Sequence, residues 1–254
     1  MSDFGTFIDL LSKSRRMVAL TGAGVSTLSG IPDFRSSEGL YSREFGSMRV
    51  EDILDIDFFK EHPDVFYQWA RPYWYQMDKY EPNIIHRTLA VLEGIGKLTD
   101  GIFTQNIDSL DRKAGSKKVY ELHGSLRAGY CMDCHSYYDY DTIARAVNSG
   151  IVPVCKQCGG TIKPDIVFYG EGLDQSLLSR GVSSFSYSDL VLVCGSSLIV
   201  NPAASLPYYS ATNRKKIVIV NRDSTYLDEY ASLRFDDLES FFGELNEHIV
   251  AKHA

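Results

Sequence analysis

The chain has 254 residues, 44% hydrophobic and 23% charged, with a formal net charge of −7. That length and apolar content suffice for one large domain with a smaller companion. The negative balance argues against non-specific nucleic-acid binding and suits a basic peptide as partner. No run of eighteen apolar residues occurs, and Asp3 and Asp9 stand where a basic export region would lie, so a cytoplasmic protein without a membrane segment is expected. Of the five cysteines, four fall between 131 and 158 and the fifth, Cys194, sits in an apolar run, which is not a secreted disulfide pattern.

In chain order, Phe7, Ile8 and Leu11 give Phe4 to Lys13 the spacing of an amphipathic helix. Met17 to Leu20, after Arg15 and Arg16, reads as a parallel strand entering a core. Gly22 and Gly24 then let backbone N–H groups approach a ligand, and a helix starting near Val25 would aim its positive end at a diphosphate. The dinucleotide pattern G-x-G-x-x-G is incomplete, because position 27 is Thr27 and the next glycine is Gly30, so a ligand-free glycine turn is the alternative. Ser36 to Arg49 is polar and long enough for a mobile lid. From Val50 to Met77 the pattern is helical and aromatic, with Leu54, Phe58, Phe59, Phe66, Trp69 and Tyr73, suited to core or to an apolar substrate channel. Pro82 opens a helix over Asn83 to Ile95, on which His86 reads as a structural hydrogen-bonder.

Gly101 to Thr104 is a short strand that delivers Gln105-Asn106-Ile107-Asp108 to the carboxyl edge of a sheet, where ligands of open α/β folds collect. A short helix runs to Ala114, and a strand over Lys118 to Leu122 ends in His123-Gly124. That histidine is well placed to reach the same cleft, although taken alone it fits a packed or surface residue too. Residues 125 to 164 break the alternation and carry Cys131-x2-Cys134 and Cys155-x2-Cys158, separated by twenty residues. Four thiolates on two tight turns make a closed tetrahedral zinc site with no open position, so the metal is structural. His135 is not needed as a ligand, and Asp141 to Asn148 reads as a small helix. Strands follow at Ile166 to Tyr169, Leu190 to Cys194 and Lys216 to Val220, with helices at Leu177 to Phe185 and Asp237 to Val250. Gly195-Ser196-Ser197 is a second turn of phosphate or ribose size, Asn201-Pro202-Ala203 reads as a cap with proline at the first helical position, and Asn221 is a polar strand tip.

Gly22-Ala-Gly24-Val-Ser26, Gly30-Ile-Pro-Asp-Phe-Arg35, Thr104-Gln-Asn-Ile-Asp108, His123-Gly124, the four cysteines, Val167-Phe-Tyr-Gly-Glu171, Gly195-Ser-Ser197 and Ile219-Val-Asn221 together resemble the sirtuins in bacterial form, over nearly the whole chain and in the family's order. The resemblance implies an NAD-dependent protein-lysine deacylase of α/β fold, with a Rossmann-like parallel-sheet large domain formed by residues 1–35, 81–124 and 165–254. Residues 36–80, a helical insertion with the cofactor loop, and 125–164, a zinc ribbon, would form the small domain. It implies NAD contacts from Ala23, Thr27, Phe34 and Arg35, the last near the diphosphate. Gln105 and Asn106 would hold the nicotinamide ribose, and Ile107 and Asp108 would line the nicotinamide pocket. Ser196, Ser197, Asn221 and Asp237 would take the adenosine end, Val167 would offer its backbone to the acyl-lysine, and Phe168 would wall the acyl tunnel.

The implied chemistry is capture of C1′ of NAD by the amide oxygen of acetyl-lysine as nicotinamide leaves, which rests on positioning. His123 would then act as general base on a ribose hydroxyl, and the products would be nicotinamide, deacylated lysine and O-acyl-ADP-ribose. Partners would be acetylated protein lysines, with the enzyme a monomer that binds no nucleic acid directly. Two departures stand out. Sirtuins that prefer succinyl or malonyl lysine carry Tyr-x-x-Arg, whereas this chain reads Tyr67-Gln-Trp-Ala70-Arg71, placing Arg71 about 100° too far round a helix. Tyr169 stands where Phe is usual. A mono-ADP-ribosyltransferase would share every NAD residue, and a zinc-ribbon binding module is the non-enzymatic alternative, though Asp133, Asp139 and Asp141 make a poor nucleic-acid face. A dehydrogenase should place an acidic residue at a second strand end about twenty positions after the glycines, and Glu51 and Asp52 follow a loop instead.

Overall fold

The computed structural model describes residues 2–37, 39–42, 45–46 and 48–253. Nine strands are present among them: β1 (Met17–Thr21), β2 (Gly101–Thr104), β3 (Val119–Glu121), β4 (Gly124–Cys131), β5 (Tyr137–Asp139), β6 (Ile162–Ile166), β7 (Leu190–Cys194), β8 (Lys216–Val220) and β9 (Leu233–Phe235). Six of them form a sheet in the order β3-β2-β1-β7-β8-β9, with every pairing parallel. β1 and β7 are buried at every position because helices cover both faces, which is why they read as unbroken apolar runs. One face packs Phe7, Leu89, Phe242 and Leu245 from helices Asp3–Lys13, Ile84–Gly94 and Leu238–His253. The other packs Phe103, Phe185, Leu206 and Leu227 under helix Gln175–Tyr187 and the segment that follows β7.

Strand order reverses between β1 and β7, so the loops leaving their carboxyl ends part and open a crevice. The second sheet, β5-β4-β6, is antiparallel and shares a core with helices Val50–Ile53, Ile56–Glu61, Pro63–Ala70 and Tyr140–Asn148. The helical pattern over 50–77 is thus three short helices and a 3-10 turn at Met77–Lys79. Asp55 caps the second by accepting from the N–H groups of Asp57 and Phe58, and Pro63 starts the third.

Three further local expectations are corrected. The turn after β1 is a 3-10 helix, Ala23–Ser29, which starts before Val25 and is not an α-helix. The strand expected at Ile166 to Tyr169 lies earlier, at Ile162–Ile166, and belongs to the small sheet. Residue 167 leaves that ladder because its N–H donates to the His123 carbonyl at 2.9 Å, and Tyr169 then bridges to Asp55. Pro202 precedes the 3-10 helix Ala203–Ser205 as its cap instead of occupying the first helical position. The loop expected over Ser36 to Arg49 includes positions 38, 43, 44 and 47, which lie outside the described residues.

Candidate active site

The floor of the crevice is made where the β1 and β7 turns touch. A Cβ on Gly24 would stand 2.8 Å from the Gly195 Cα, and one on Gly22 would stand 2.7 Å from the Gly195 carbonyl, so only glycine lets these backbones meet. The Gly24 N–H donates to the Gly195 carbonyl at 2.9 Å. Above this floor lies a cleft of about 780 Å³ that runs from the β1 and β7 turns to the small sheet, at the larger end of the usual range for ligand sites.

His123 is the residue that joins the two sheets. β3 ends at Glu121, the Leu122 N–H donates to the Thr104 carbonyl at 2.9 Å, and Gly124 at φ +73° turns the chain into β4. A side chain at 124 would collide with the Asp165 carbonyl, so the turn that aims His123 demands glycine. The His123 Nδ1 lies 2.9 Å from the Gln105 carbonyl. A carbonyl only accepts, so Nδ1 carries the proton and Nε2 is left as the acceptor. Nε2 is buried and has no partner among the described residues, yet His123 lines the cleft. Burial lowers the imidazole pKa, and the bond to Gln105 opposes the shift.

Gln105 works at both ends. Its carbonyl holds His123, and its Oε1 accepts from the Ser196 hydroxyl at 2.8 Å, so residues expected at the ribose and the adenosine end are tied together. The Asn106 Nδ2 donates to the Gly22 carbonyl at 3.1 Å and to the Ser26 hydroxyl at 3.2 Å, which locks the loop after β2 onto the turn after β1. The Ser26 hydroxyl in turn donates a hydrogen bond to one Asp108 carboxyl oxygen at 2.7 Å, and the other accepts from the Leu110 N–H at 2.8 Å.

Of the residues singled out in the sequence, Ala23, Thr27, Phe34, Arg35, Gln105, Asn106, Ile107, His123, Val167, Phe168, Ser196, Ser197, Asn221 and Asp237 all line the cleft. Asp108 does not, and its carboxylate is engaged beneath the wall as described. Thr27 spends its hydroxyl on the Gly24 carbonyl at 2.9 Å. The Arg35 guanidinium lies 5.1 Å from the Tyr41 ring centre, and no carboxylate among the described residues pairs with it. The Asn221 amide donates to the Asp223 carbonyl at 2.7 Å, and Asp237 caps the last helix by accepting from Ser240 N–H at 2.8 Å.

The arm of the cleft toward the small sheet is apolar: Phe34, Leu54, Trp74, Ile107, Ile166 and Phe168 line it. Trp74 was not visible in the sequence pattern. Stepping by four residues from Trp69 selects Tyr73, but the helix stops at Ala70, and the following turn swings Trp74 inward, 4% exposed. The Tyr41 and Tyr169 hydroxyls, 2.7 Å apart, also line the cleft. Arg71 faces the other way, its Nη1 3.5 Å from the point where a Gly150 Cβ would stand, as the one-residue offset requires.

The four cysteine sulfurs lie within 4.8 Å of one another, with Cys131 to Cys158 at 3.4 Å and Cys134 to Cys155 at 3.5 Å. Tetrahedral Zn–S bonds of about 2.3 Å require sulfurs roughly 3.8 Å apart, so this soft, all-thiol set fits zinc. The Tyr138 hydroxyl donates to the Cys155 sulfur at 3.2 Å and holds its orientation.

A model of the Sir2 family matches residues 22–202. The chain belongs to the Sir2 family. A relative from Thermotoga maritima, named NAD-dependent protein deacetylase, is 44% identical over 230 residues, 91% of each chain. Among solved Sir2 structures, a variant with a deacetylated p53 peptide and 3′-O-acetyl-ADP-ribose superposes with a TM-score of 0.91 at 41% identity, covering 96% of this chain and 98% of the other. A Sir2–p53 peptide–NAD+ complex matches with a TM-score of 0.87 at 40% identity, covering 100% and 99%. The parallel six-stranded sheet with its separate cysteine-bearing sheet is therefore the Sir2 fold.

Proposed function

We propose that this protein is an NAD-dependent protein-lysine deacetylase that transfers the acetyl group of acetyl-lysine to ADP-ribose with release of nicotinamide. The observation that carries this reading is the His123 imidazole, fixed as the Nδ1–H tautomer by the Gln105 carbonyl, with an unpartnered Nε2 in the cleft wall. Because His123 lines the cleft, this unpartnered acceptor is within reach of a ligand hydroxyl.

NAD supplies a good leaving group, nicotinamide, and an electrophilic C1′. The chain supplies the rest. Arg35 offers a bidentate cation for the diphosphate beside the glycine turn, and Ala23 and Thr27 shape that turn. Gln105 and Asn106 fix the ribose, with the Asn106 amide held rigid by Gly22 and Ser26 so that little order is lost on binding. Ile107 lines the nicotinamide side, while Asp108 acts through Ser26 and Leu110 to hold that loop. Ser197, Asn221 and Asp237 form the adenosine end, and Ser196 reaches it through Gln105. Val167 offers its backbone carbonyl to the acyl-lysine, its N–H being already given to the His123 carbonyl. Phe168 and its apolar neighbours hold the acyl chain. His123 Nε2 takes the proton of the ribose hydroxyl that attacks the acyl carbon, and burial keeps the ring neutral at physiological pH. The four cysteines hold one structural zinc that stabilises the small domain.

Incubation with NAD and an acetyl-lysine peptide tests this directly. Nicotinamide, deacetylated peptide and O-acetyl-ADP-ribose should appear in equal amounts. ADP-ribose attached to protein with no deacetylated peptide would assign the chain to ADP-ribosyl transfer instead.

A further inference from the structure

Trp74 lines the apolar arm of the cleft. This side chain lines the cleft yet is only 4% exposed, because aromatic rings back it. Its ring meets Trp69 edge-on at 4.8 Å between centroids and Phe66 at 5.9 Å, and Phe66 in turn packs 5.1 Å from Phe168. The main chain is held as firmly. The Trp74 N–H donates to the Ala70 carbonyl at 2.7 Å, and its own carbonyl accepts from the Tyr140 hydroxyl at 3.3 Å. Asn148 donates to the Tyr75 carbonyl at 3.0 Å and accepts from the Gln76 amide at 2.8 Å. Two residues of helix Tyr140–Asn148 thus pin the turn that carries Trp74.

We propose that Trp74 sets the acyl-chain limit of this site, admitting short uncharged acyl groups on lysine and stopping longer ones. This rests on the deacylase reading above. An indole backed by close-packed rings and anchored at its main chain does not swing aside cheaply, because overpacking forces neighbours off their rotamers. Tyr67, Ala70 and Arg71, none of which lines the cleft, supply no cationic pair for an acidic acyl group. The Tyr67 hydroxyl is spent on the Ile162 carbonyl at 2.5 Å, Ala70 offers no polar group, and Arg71 faces Gly150. A smaller residue at 74 would leave an apolar recess continuous with the cleft, which a longer chain could fill.

The test compares kcat/KM for one peptide bearing acetyl-, butyryl- or octanoyl-lysine, with wild type, Trp74→Leu, Trp74→Phe and Trp69→Leu. Trp69 belongs to the same aromatic cluster and does not line the cleft. Each methylene newly buried is worth roughly fourfold, so room for two more predicts a rise of roughly fifteenfold in the octanoyl-to-acetyl ratio for Trp74→Leu. Trp74→Phe should rise less, and Trp69→Leu, which removes a ring behind Trp74 without itself opening the cleft, should rise less than Trp74→Leu. An unchanged ratio in the Trp74 variants, or an equal rise in Trp69→Leu, overturns the proposal. So does wild-type enzyme that processes octanoyl- as fast as acetyl-lysine, a result independent of how the variants fold. Wild type that releases no nicotinamide with any of the peptides would instead overturn the deacylase reading, and the proposal with it.

Discussion

The hydroxyls of Tyr41 and Tyr169 meet at 2.7 Å, which ties the loop following Arg35 to the segment following Phe168. Tyr41 is also the ring beneath the Arg35 guanidinium, at 5.1 Å, and packs against Phe34 at 5.2 Å. The tyrosine at 169, where Phe is usual, therefore latches the wall that would cover NAD to the wall that would hold substrate. A hydrogen bond of this kind is worth about 0.5–1.5 kcal/mol. Tyr169→Phe should raise KM for NAD by roughly two- to tenfold, with kcat nearly unchanged, in steady-state assays at saturating peptide.

His123→Ala should lower deacetylation by roughly 10²- to 10⁴-fold, the usual worth of a general base, while calorimetric NAD affinity changes little. The neutral ring is the active form, so the rate falls on acidification. Burial lowers its pKa, so the midpoint of that fall should lie below the ordinary imidazole value of about 6.5. A midpoint above that value would remove His123 from the base role.

His86 titrates in the fold alone. It is buried, its Nδ1 accepts from the Asn83 N–H at 3.3 Å to complete a helix cap, and burial lowers its pKa to about 4. The unfolded chain takes up this proton near pH 6.5 and the folded chain resists it. Stability is therefore complete above about pH 6.5 and is lost as pH falls toward about 4, by on the order of 3 kcal/mol. His86→Gln keeps an acceptor at the capping position and should flatten this acid limb in urea titrations.

Cys155→Ala should abolish one equivalent of tightly bound zinc, read by elemental analysis, and lower the melting temperature by roughly 10 °C or more. Because Tyr140 and Asn148 anchor the turn bearing Trp74, this variant should also lose its acyl-chain preference before it loses its affinity for NAD. Full activity without metal would show that the small sheet holds itself together.

What local chemistry encodes is legible in the residues themselves. Buried strands announced themselves as short apolar runs, the glycine turns as sites of close backbone approach, and the zinc set as two C-x2-C pairs. Each of these signals is written within a few residues, where periodicity, backbone freedom and ligand spacing act. β4 and β5 were hidden because cysteines and turn residues interrupt their alternation, and the break of the 50–77 helical pattern at Ala70 put Trp74 in the cleft in place of Tyr73. Which polar groups meet follows from the folded topology. Ser196 finds Gln105 across 91 residues and Tyr41 finds Tyr169 across 128, while Asp108 is drawn under the cleft wall by Ser26. Such pairings depend on which strand ends the parallel order brings together, and a chain's topology is a sum over distant apolar contacts that no short window of sequence contains.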